Sequence, residues 1–475
     1  MSSNRILPES LVERVASLCS AFSPDATVQQ TVVEAVENEI IAGLNAHSAH
    51  PGEWREEDCS LMMLDSWVKA IPSGSEKTIT YALDLGGTNA RFLRLVAKGN
   101  GVVEEKIKIQ NIREVDDKKY PDGMLDRRVT ASKFFDYFAQ SLHNFMKESG
   151  DLDDFNEEEK EVFKLSFSFS FACQQKSLTH ADLLFWTKGF FTGMDTEDPV
   201  EKRDVGALMA EALKRNSVPM ELVALVNDTV GTLVSGAYQK PSNIPACLIG
   251  VIIGTGFNIC YYEENAQKYE YSGKVINMEM GSFNKALPYT IADIEVDWFS
   301  NNPGSQKLEK MISGMLLGDI VRRAVIIAFK NCAPSSVWKE NTLSSEQVFD
   351  IAKDTSEMLE ISQTILKSAW NWPKKEESSS ILFIKQLCEA VISRSATLLA
   401  CSLFAIARHL KILEKGVSCA MDGALIAKQP FYRKKVESAL NSLAALYGIS
   451  QTIHLVTADD GSGKGAALLG ALNSL

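Results

Sequence analysis

Apolar positions in the first 70 residues recur every three and four places. Val32, Val33, Val36, Ile40, Ile41 and Leu44 share a stripe with acids opposite, which predicts helices over most of residues 1–70. The pattern stops at Ile71-Pro-Ser-Gly-Ser, and TITYALDLGGTNARFLRLVAKGNGVVEEKIKI then reads as strand, Gly-rich turn, strand, turn, strand. The acid-rich stretch Lys147–Glu161 predicts a solvated loop. After it, Leu165–Phe171 alternates Phe and Ser as a half-buried strand does. A second strand-rich block covers Leu222–Asn227 and Ala246–Tyr262, and beyond Glu309 the chain is mainly helical. In EKMISGMLLGDIVRRAVIIAF, residues Met311, Ile312, Met315, Leu316, Ile320 and Val321 form one apolar stripe. Val417–Met421 and Thr452–Val456 are the last buried strands, followed by a Gly-rich turn and a C-terminal helix. Two mixed sheets, each opened by a Gly-rich turn and finished by helices, predict a two-lobed α/β protein with no fixed-period repeat.

The totals narrow the class. A chain of 475 residues with 45% hydrophobic and 23% charged content suits a large soluble globular protein. Net charge of −12 argues against nonspecific nucleic-acid or anionic-membrane binding. It still allows a local anion site made of backbone amides. Nine cysteines stand singly with no CxxC pair, and six histidines form no HExxH or HxxxH spacing. A zinc ribbon and a His-built metal site are therefore not expected, and the thiols read as reduced. Glu9, Glu13 and Arg14 break any signal-peptide pattern, and the apolar run Ser395–Ala407 is too short to span a bilayer. The expectation is a cytoplasmic protein without nucleic-acid or membrane partners.

Three Gly-rich turns follow hydrophobic strands. The first, Leu83-Asp-Leu-Gly-Gly-Thr-Asn89, frees backbone N–H groups to face an anion, although a plain hairpin turn uses the same residues. The second is Gly254-Thr-Gly-Phe-Asn258. The third, Asp459-Asp-Gly-Ser-Gly-Lys-Gly-Ala-Ala467, opens a helix whose N-terminus favours an anion. None fits the P-loop or GxGxxG patterns. Together they point to a nucleotide held between lobes by backbone amides. Between them, Ala224-Leu-Val-Asn-Asp-Thr-Val-Gly231 puts a carboxylate at a strand's C-terminal end, where α/β ligand sites form. The same Asn-Asp also suits an Asx turn or helix N-cap.

In order along the chain stand IPSGSEKTITYALDLGGTNARFLRL, FSFSFACQQKSL, FWTKGF, VNDTVGTL, IGTGFNICYYE, INMEMGSF, NPGSQKLEKMISGMLLGDIVRRA, MDGALIAK and DDGSGKGAALLGAL. In these segments the chain resembles the single-unit eukaryotic hexokinases, from about His50 to its end. The resemblance implies a two-lobed actin-like ATPase (ribonuclease H-like) fold. It implies a small domain of residues 75–226 plus 462–475 and a large domain of 1–74 plus 227–461. It also implies ATP and Mg²⁺, a hexose substrate, glucose foremost, and compatibility with a homo-oligomer. Matched position by position, Asp228 becomes the general base, with Lys188 beside the transferring group. Ser170, Thr187, Lys188, Asn227, Asp228, Asn258, Glu279 and Glu309 become the sugar contacts. Asp84, Gly86, Gly87, Thr88, Asn89 and Arg91 become the first phosphate turn, and Gly254 with Thr255 the second. Asp422, Gly423, Gly461, Ser462, Gly463 and Lys464 become the adenosine-side segments, and Asp84 positions the metal through water.

Elementary chemistry agrees with that inventory. A hexose shows hydroxyls all round its ring, so its site needs donors and acceptors in quantity. Two carboxylates, two carboxamides, two hydroxyls and an ammonium supply them. The alternative is a sugar sensor with little turnover, against which stand the intact Asp228, Lys188 and Asp84. An assembly ATPase of the same fold has no use for the WTKGF and NMEMGSF segments. The repressor-related sugar kinases bring a Cys-rich zinc motif that this chain lacks.

Four positions depart from the commonest family pattern: Ala90 for Phe, Met280 for an aromatic, Ala424 for Ser and Ala172 for Pro. The first two are packing changes. Ala424 removes a hydroxyl near the nucleotide, a loss of about 1 kcal/mol if one hydrogen bond goes with it. Ala172 removes a fixed φ from the sugar loop, leaving it freer when empty. Ala172→Pro is therefore expected to lower the KM for glucose in steady-state kinetics; an unchanged or raised KM contradicts this.

Overall fold

The structure, a computed structural model, describes residues 10–87, 89–115, 119–153, 162–186, 189–373 and 378–472. The chain opens with α1 (Leu11–Ala21) and α2 (Ala26–Ala49), started by Ser10 in a capping box with Glu13 and by Asp25 as N-cap. After β1 (Leu64–Asp65) come β2 (Lys77–Leu85), β3 (Asn89–Gly99) and β4 (Val102–Asn111). Then follow α3 (Ala131–Ser149), β5 (Phe163–Phe169), the hairpin of β6 (Cys173–Gln175) and β7 (Ala181–Leu183), α4 (Val205–Arg215) and β8 (Met220–Val226). Next are α5 (Asp228–Gln239), β9 (Cys247–Ile253), β10 (Phe257–Tyr262) and β11 (Val275–Asn277). A helical block follows: α6 (Ile291–Trp298), α7 (Lys307–Ile312), α8 (Gly314–Phe329), α9 (Ser345–Lys353), α10 (Glu360–Trp370) and α11 (Ser378–His409). The chain closes with β12 (Val417–Asp422), α12 (Ala424–Lys428), α13 (Pro430–Leu446), β13 (Ile453–Thr457) and α14 (Gly461–Leu472).

The sheets repeat one topology. The first runs β4-β3-β2-β5-β8, with β2, β3 and β4 antiparallel and β5 and β8 parallel to β2. The second runs β1-β11-β10-β9-β12-β13, and β9 to β13 repeat the same order and directions. This is the two-lobed actin-like architecture that the resemblance implies. The repeat lies in connectivity, and helices inserted after β11 hide it from any fixed sequence period. The fifth strand of each half leads into one of an equivalent pair of helices, α5 and α14.

Three cores hold the molecule. The larger lobe packs α1, α2 and α6–α13 around one face of its sheet, from Val33 and Ile40 to Leu399 and Tyr432. The smaller lobe fills its core with Phe134, Phe138, Phe167 and Phe169. Between the lobes lies a third cluster rich in small residues, including Ala82, Ala224, Ala420, Ala466 and Ala467. There a β-carbon on Gly465 would fall 1.7 Å from the Gly231 carbonyl oxygen, and one on Gly231 would fall 2.4 Å from that of Ser462. Glycine at both positions lets α5 and α14 cross backbone to backbone.

Three expectations change. The Phe/Ser strand is buried on both faces: Ser166 and Ser168 are as inaccessible as Phe167, because α14 covers the serine side. The single stripe from Met311 to Val321 is two helices, broken at Ser313, where Gly314 N–H turns to donate to the Gly254 carbonyl at 2.8 Å. Met315 is consequently exposed. Finally, Ser395–Ala407 belongs to the 32-residue α11, which is long and apolar enough to cross a membrane, yet its apolar window is 89% buried in the protein.

Gly465→Ala is expected to cost about 2–3 kcal/mol in denaturant unfolding, as overpacking does. Gly463→Ala, whose added carbon would meet nothing closer than 3.7 Å, should cost little. Equal effects of the two contradict the crossing's role.

Candidate active site

The turn between β2 and β3 is shaped by Ser170. A β-carbon on Gly86 would lie 2.5 Å from Ser170 Oγ, whereas one on Gly87 would meet nothing within 4 Å. Gly86 therefore admits the serine at the end of β5, and Gly87 leaves room for a ligand. Ser170 N–H donates to the Leu85 carbonyl at 3.0 Å, which fixes the strand end beside the turn. Asn89, exposed, opens β3.

Asp84, next to last in β2, is 5% exposed. It accepts hydrogen bonds from Arg91 Nη1 and Ser462 Oγ, both at 3.1 Å. Burial pushes its carboxyl pKa up against the pull of the Arg91 guanidinium, and the Asp460 and Asp228 charges push the same way. For Arg91, burial opposes the charge, but Asp84 and Asp460, the latter 3.6 Å away, outweigh it and raise the pKa.

Asp422, at the end of β12, ties two further turns together. Its oxygens accept from Gly423 N–H at 2.6 Å and from Gly461 N–H, the first of α14, at 2.7 Å. Even so, burial holds this carboxyl above the ordinary range. The second Gly-rich turn lies alongside: a β-carbon on Gly254 would sit 3.3 Å from the Ala424 nitrogen, and Thr255 is exposed at the tip. Gly463 packs next to Asp84. Lys464 is committed elsewhere, its ammonium 3.2 Å from Glu105 on β4 and its side chain buried.

Asn227 and Asp228 open α5. Asn227 is its N-cap, the role that the sequence left as an alternative: its Oδ1 accepts from Thr229 N–H at 3.0 Å and Thr229 Oγ1 at 2.7 Å. Asp228, half-buried, accepts from Thr229 N–H at 2.9 Å. Asn258 Nδ2 lies 3.4 Å from Asn227 Oδ1 and donates to Asn277 Oδ1 at 2.8 Å, and Asn277 Nδ2 donates to Glu279 Oε1 at 2.8 Å. Glu279 has left-handed backbone angles (φ 50°, ψ 52°), an uncommon conformation for a side-chain-bearing residue and one that gathers at functional sites. Glu309, on α7, accepts from Phe257 N–H at 2.8 Å. Met280, one of the departures, is fully buried in the larger lobe's core, and its N–H donates to Asn258 Oδ1.

The loop from Phe171 to Trp186 is pinned at both ends by aromatic rings. Phe171 meets Trp186 edge-on and packs on Phe190, and Trp186 stacks on Phe190 at 5.1 Å. Trp186 N–H donates to Glu201 at 2.6 Å, and the Ala172 carbonyl accepts from Leu184 N–H. Trp67 Nε1 from the larger lobe donates to the Gln175 carbonyl at 3.4 Å. Thr88, Thr187 and Lys188 lie outside the described residues.

The strand ends and turns of both sheets thus bring Asp84, Asp228, Asp422 and Asp460 close enough for their charges to act on one another, with amide-lined turns beside them. The sequence reading missed Asn277, whose place between Asn258 and Glu279 depends on strand register, and Asp460, adjacent to a recognised motif.

Two family models, both described as hexokinase, match residues 14–238 and 248–472. A hexokinase of Plasmodium falciparum is 40% identical over 449 residues, 94% of this chain and 89% of that protein. One of Toxoplasma gondii is 38% identical over 455 residues, 95% of each. A crystal structure of a hexokinase superposes with a TM-score of 0.88 at 37% identity, over 98% of this chain and 100% of that one. The Schistosoma mansoni hexokinase complexed with glucose gives 0.79 at 28% identity, over 97% and 99%.

A carboxyl that binds its proton more tightly folded than unfolded contributes stability in acid that is lost as pH rises through its folded pKa. Asp84 is such a group, so Asp84→Asn is expected to raise the melting temperature of the ligand-free chain at pH 7.5, by a margin that shrinks as pH falls. A lower melting temperature at pH 7.5 contradicts the electrostatic reading.

Proposed function

The chain belongs to the hexokinase family, and from that premise we propose that it transfers the γ-phosphoryl group of Mg·ATP to the C6 hydroxyl of a hexose, glucose foremost. The products are hexose 6-phosphate and ADP, as in the first step of glycolysis, carried out in the cytoplasm. The observation that carries the reading is the position of Asp228. It opens α5 between the linked carboxamides of Asn227, Asn258 and Asn277 in the larger lobe and the buried Asp84 with its glycine turn.

In this reading Ser170, Asn227, Asn258, Glu279 and Glu309 grip the sugar hydroxyls, with Thr187 and Lys188 completing the set. Hydrogen bonds of this kind reject analogues that leave buried partners unpaired. The C6 oxygen attacks the γ-phosphorus in line, the bond from phosphorus to the β,γ-bridging oxygen breaks, and ADP leaves. Asp228 takes the hydroxyl proton, the general-base role. The turns at Gly86–Arg91 and Gly254–Thr255 offer backbone N–H groups to the phosphates, and Asp422, Gly423 and Gly461–Gly463 border the adenosine side.

The convergence of Asp84, Asp228 and Asp460 suits a cation. No group of three or more His, Cys, Asp or Glu is placed to hold an ion directly among the described residues. Mg²⁺ would be carried by the nucleotide's phosphates, and Asp84 would hold one of its waters. When bound, the ion supplies positive charge against the phosphate oxygens. Closure of the lobes on the sugar excludes water, the competing acceptor.

Asp228→Ala is expected to lower kcat for glucose-dependent ADP formation by about 10²–10⁴-fold, the range of general-base catalysis, while calorimetry still detects glucose binding. Turnover within a few-fold of the parent refutes the base assignment.

A further inference from the structure

We infer that Asn277 is a positioning residue of the sugar site: it relays a one-directional hydrogen-bond chain from Asn258 to Glu279 and sets how tightly Glu279 holds the sugar. The inference rests on the assignment of Glu279 to that site.

The direction of the chain is fixed by its start. Asn258 Oδ1 accepts two backbone N–H groups, from Ile259 at 2.7 Å and from Met280 at 3.1 Å. A flipped amide would face both with N–H groups, so Asn258 Nδ2 must point outward and donate. It donates to Asn277 Oδ1, which leaves Asn277 Nδ2 as the donor to Glu279 Oε1. Asn277 is 5% exposed and ends β11, whose register pairs it with Leu64 of β1 on one side and Cys260 of β10 on the other. Its side chain therefore projects from backbone held on both edges. Asn258 also fixes the Met280 N–H just beyond the left-handed Glu279. One buried amide thus holds the backbone after Glu279 and, through Asn277, one of its carboxylate oxygens. A hydrogen bond to the charged form keeps a carboxylate ionised and aimed.

Aspartate at this position has nearly the same shape and still accepts from Asn258, but it turns a second carboxylate towards Glu279. Asn277→Asp is expected to raise the glucose Kd at least about tenfold, since two adjacent carboxylates resist joint ionisation. Saturated kcat should stay within about threefold, because the lost contact serves ground state and transition state alike. In a Glu279→Gln background, the new amide can donate to the new carboxylate. There the same substitution should change the glucose Kd by less than about twofold, a coupling that a double-mutant cycle isolates. Asn277→Ala, which adds no charge, covers the case in which Asn277→Asp does not fold: it should weaken glucose binding in the parent and not in a Glu279→Ala background, where no acceptor remains for Asn277 Nδ2. Equal penalties in both backgrounds overturn the relay and leave the Glu279 assignment standing. If Glu279→Gln alone leaves the glucose Kd unchanged, that assignment fails and the relay fails with it.

Discussion

The backbone contact between α5 and α14 sets how near the strand ends of the two sheets lie to one another. The two helices follow the last strand of their respective sheets, and they meet where Gly231 and Gly465 carry no β-carbon. Each begins one turn earlier, beside the aspartates of the candidate site. The α5 N-terminus presents Asn227 and Asp228, and that of α14 presents Gly461 and Ser462, the latter hydrogen-bonded to Asp84. A wider crossing would separate Asp228 from Asp84 and open the third core, whose alanines are sized for close approach.

That geometry gathers negative charge. Asp84, buried, and Asp422, half-buried, are carboxylates held above their ordinary range by desolvation, and Asp460 adds to both. Arg91 compensates part of this charge. Such a cluster costs stability, and the cost is understandable where cationic and hydroxylated ligands complete it. The side around Glu279 has a different logic, since carboxamides chained in one direction hold Glu279 without adding charge of their own.

Much of this was legible in the sequence, for identifiable reasons. Strand-then-glycine patterns survive any packing, so the turns at Gly86, Gly254 and Gly461 could be placed from local signals. The buried strands were legible from their apolar runs. What escaped depends on distant contacts. The serine face of β5 looks solvent-exposed until α14 covers it. The break at Ser313 exists because Gly314 bonds the turn at Gly254. The repeated topology is masked by the helical insertion between β11 and β12. Asn277 carries no motif signal of its own; only the register of β1, β10 and β11 shows what it joins. The expected looseness at Ala172 is also tempered, because Phe171, Trp186 and Phe190 anchor the loop on either side.

Phosphoryl transfer to a hexose hydroxyl at this site can be followed by phosphorus NMR of the wild-type reaction. With Mg·ATP and glucose, the account predicts a phosphate ester coupled to the C6 protons of glucose, formed in step with ADP, and little free phosphate when sugar is left out. ATP consumed to inorganic phosphate at the same rate with and without sugar, or ATP left intact while glucose binds, would contradict it.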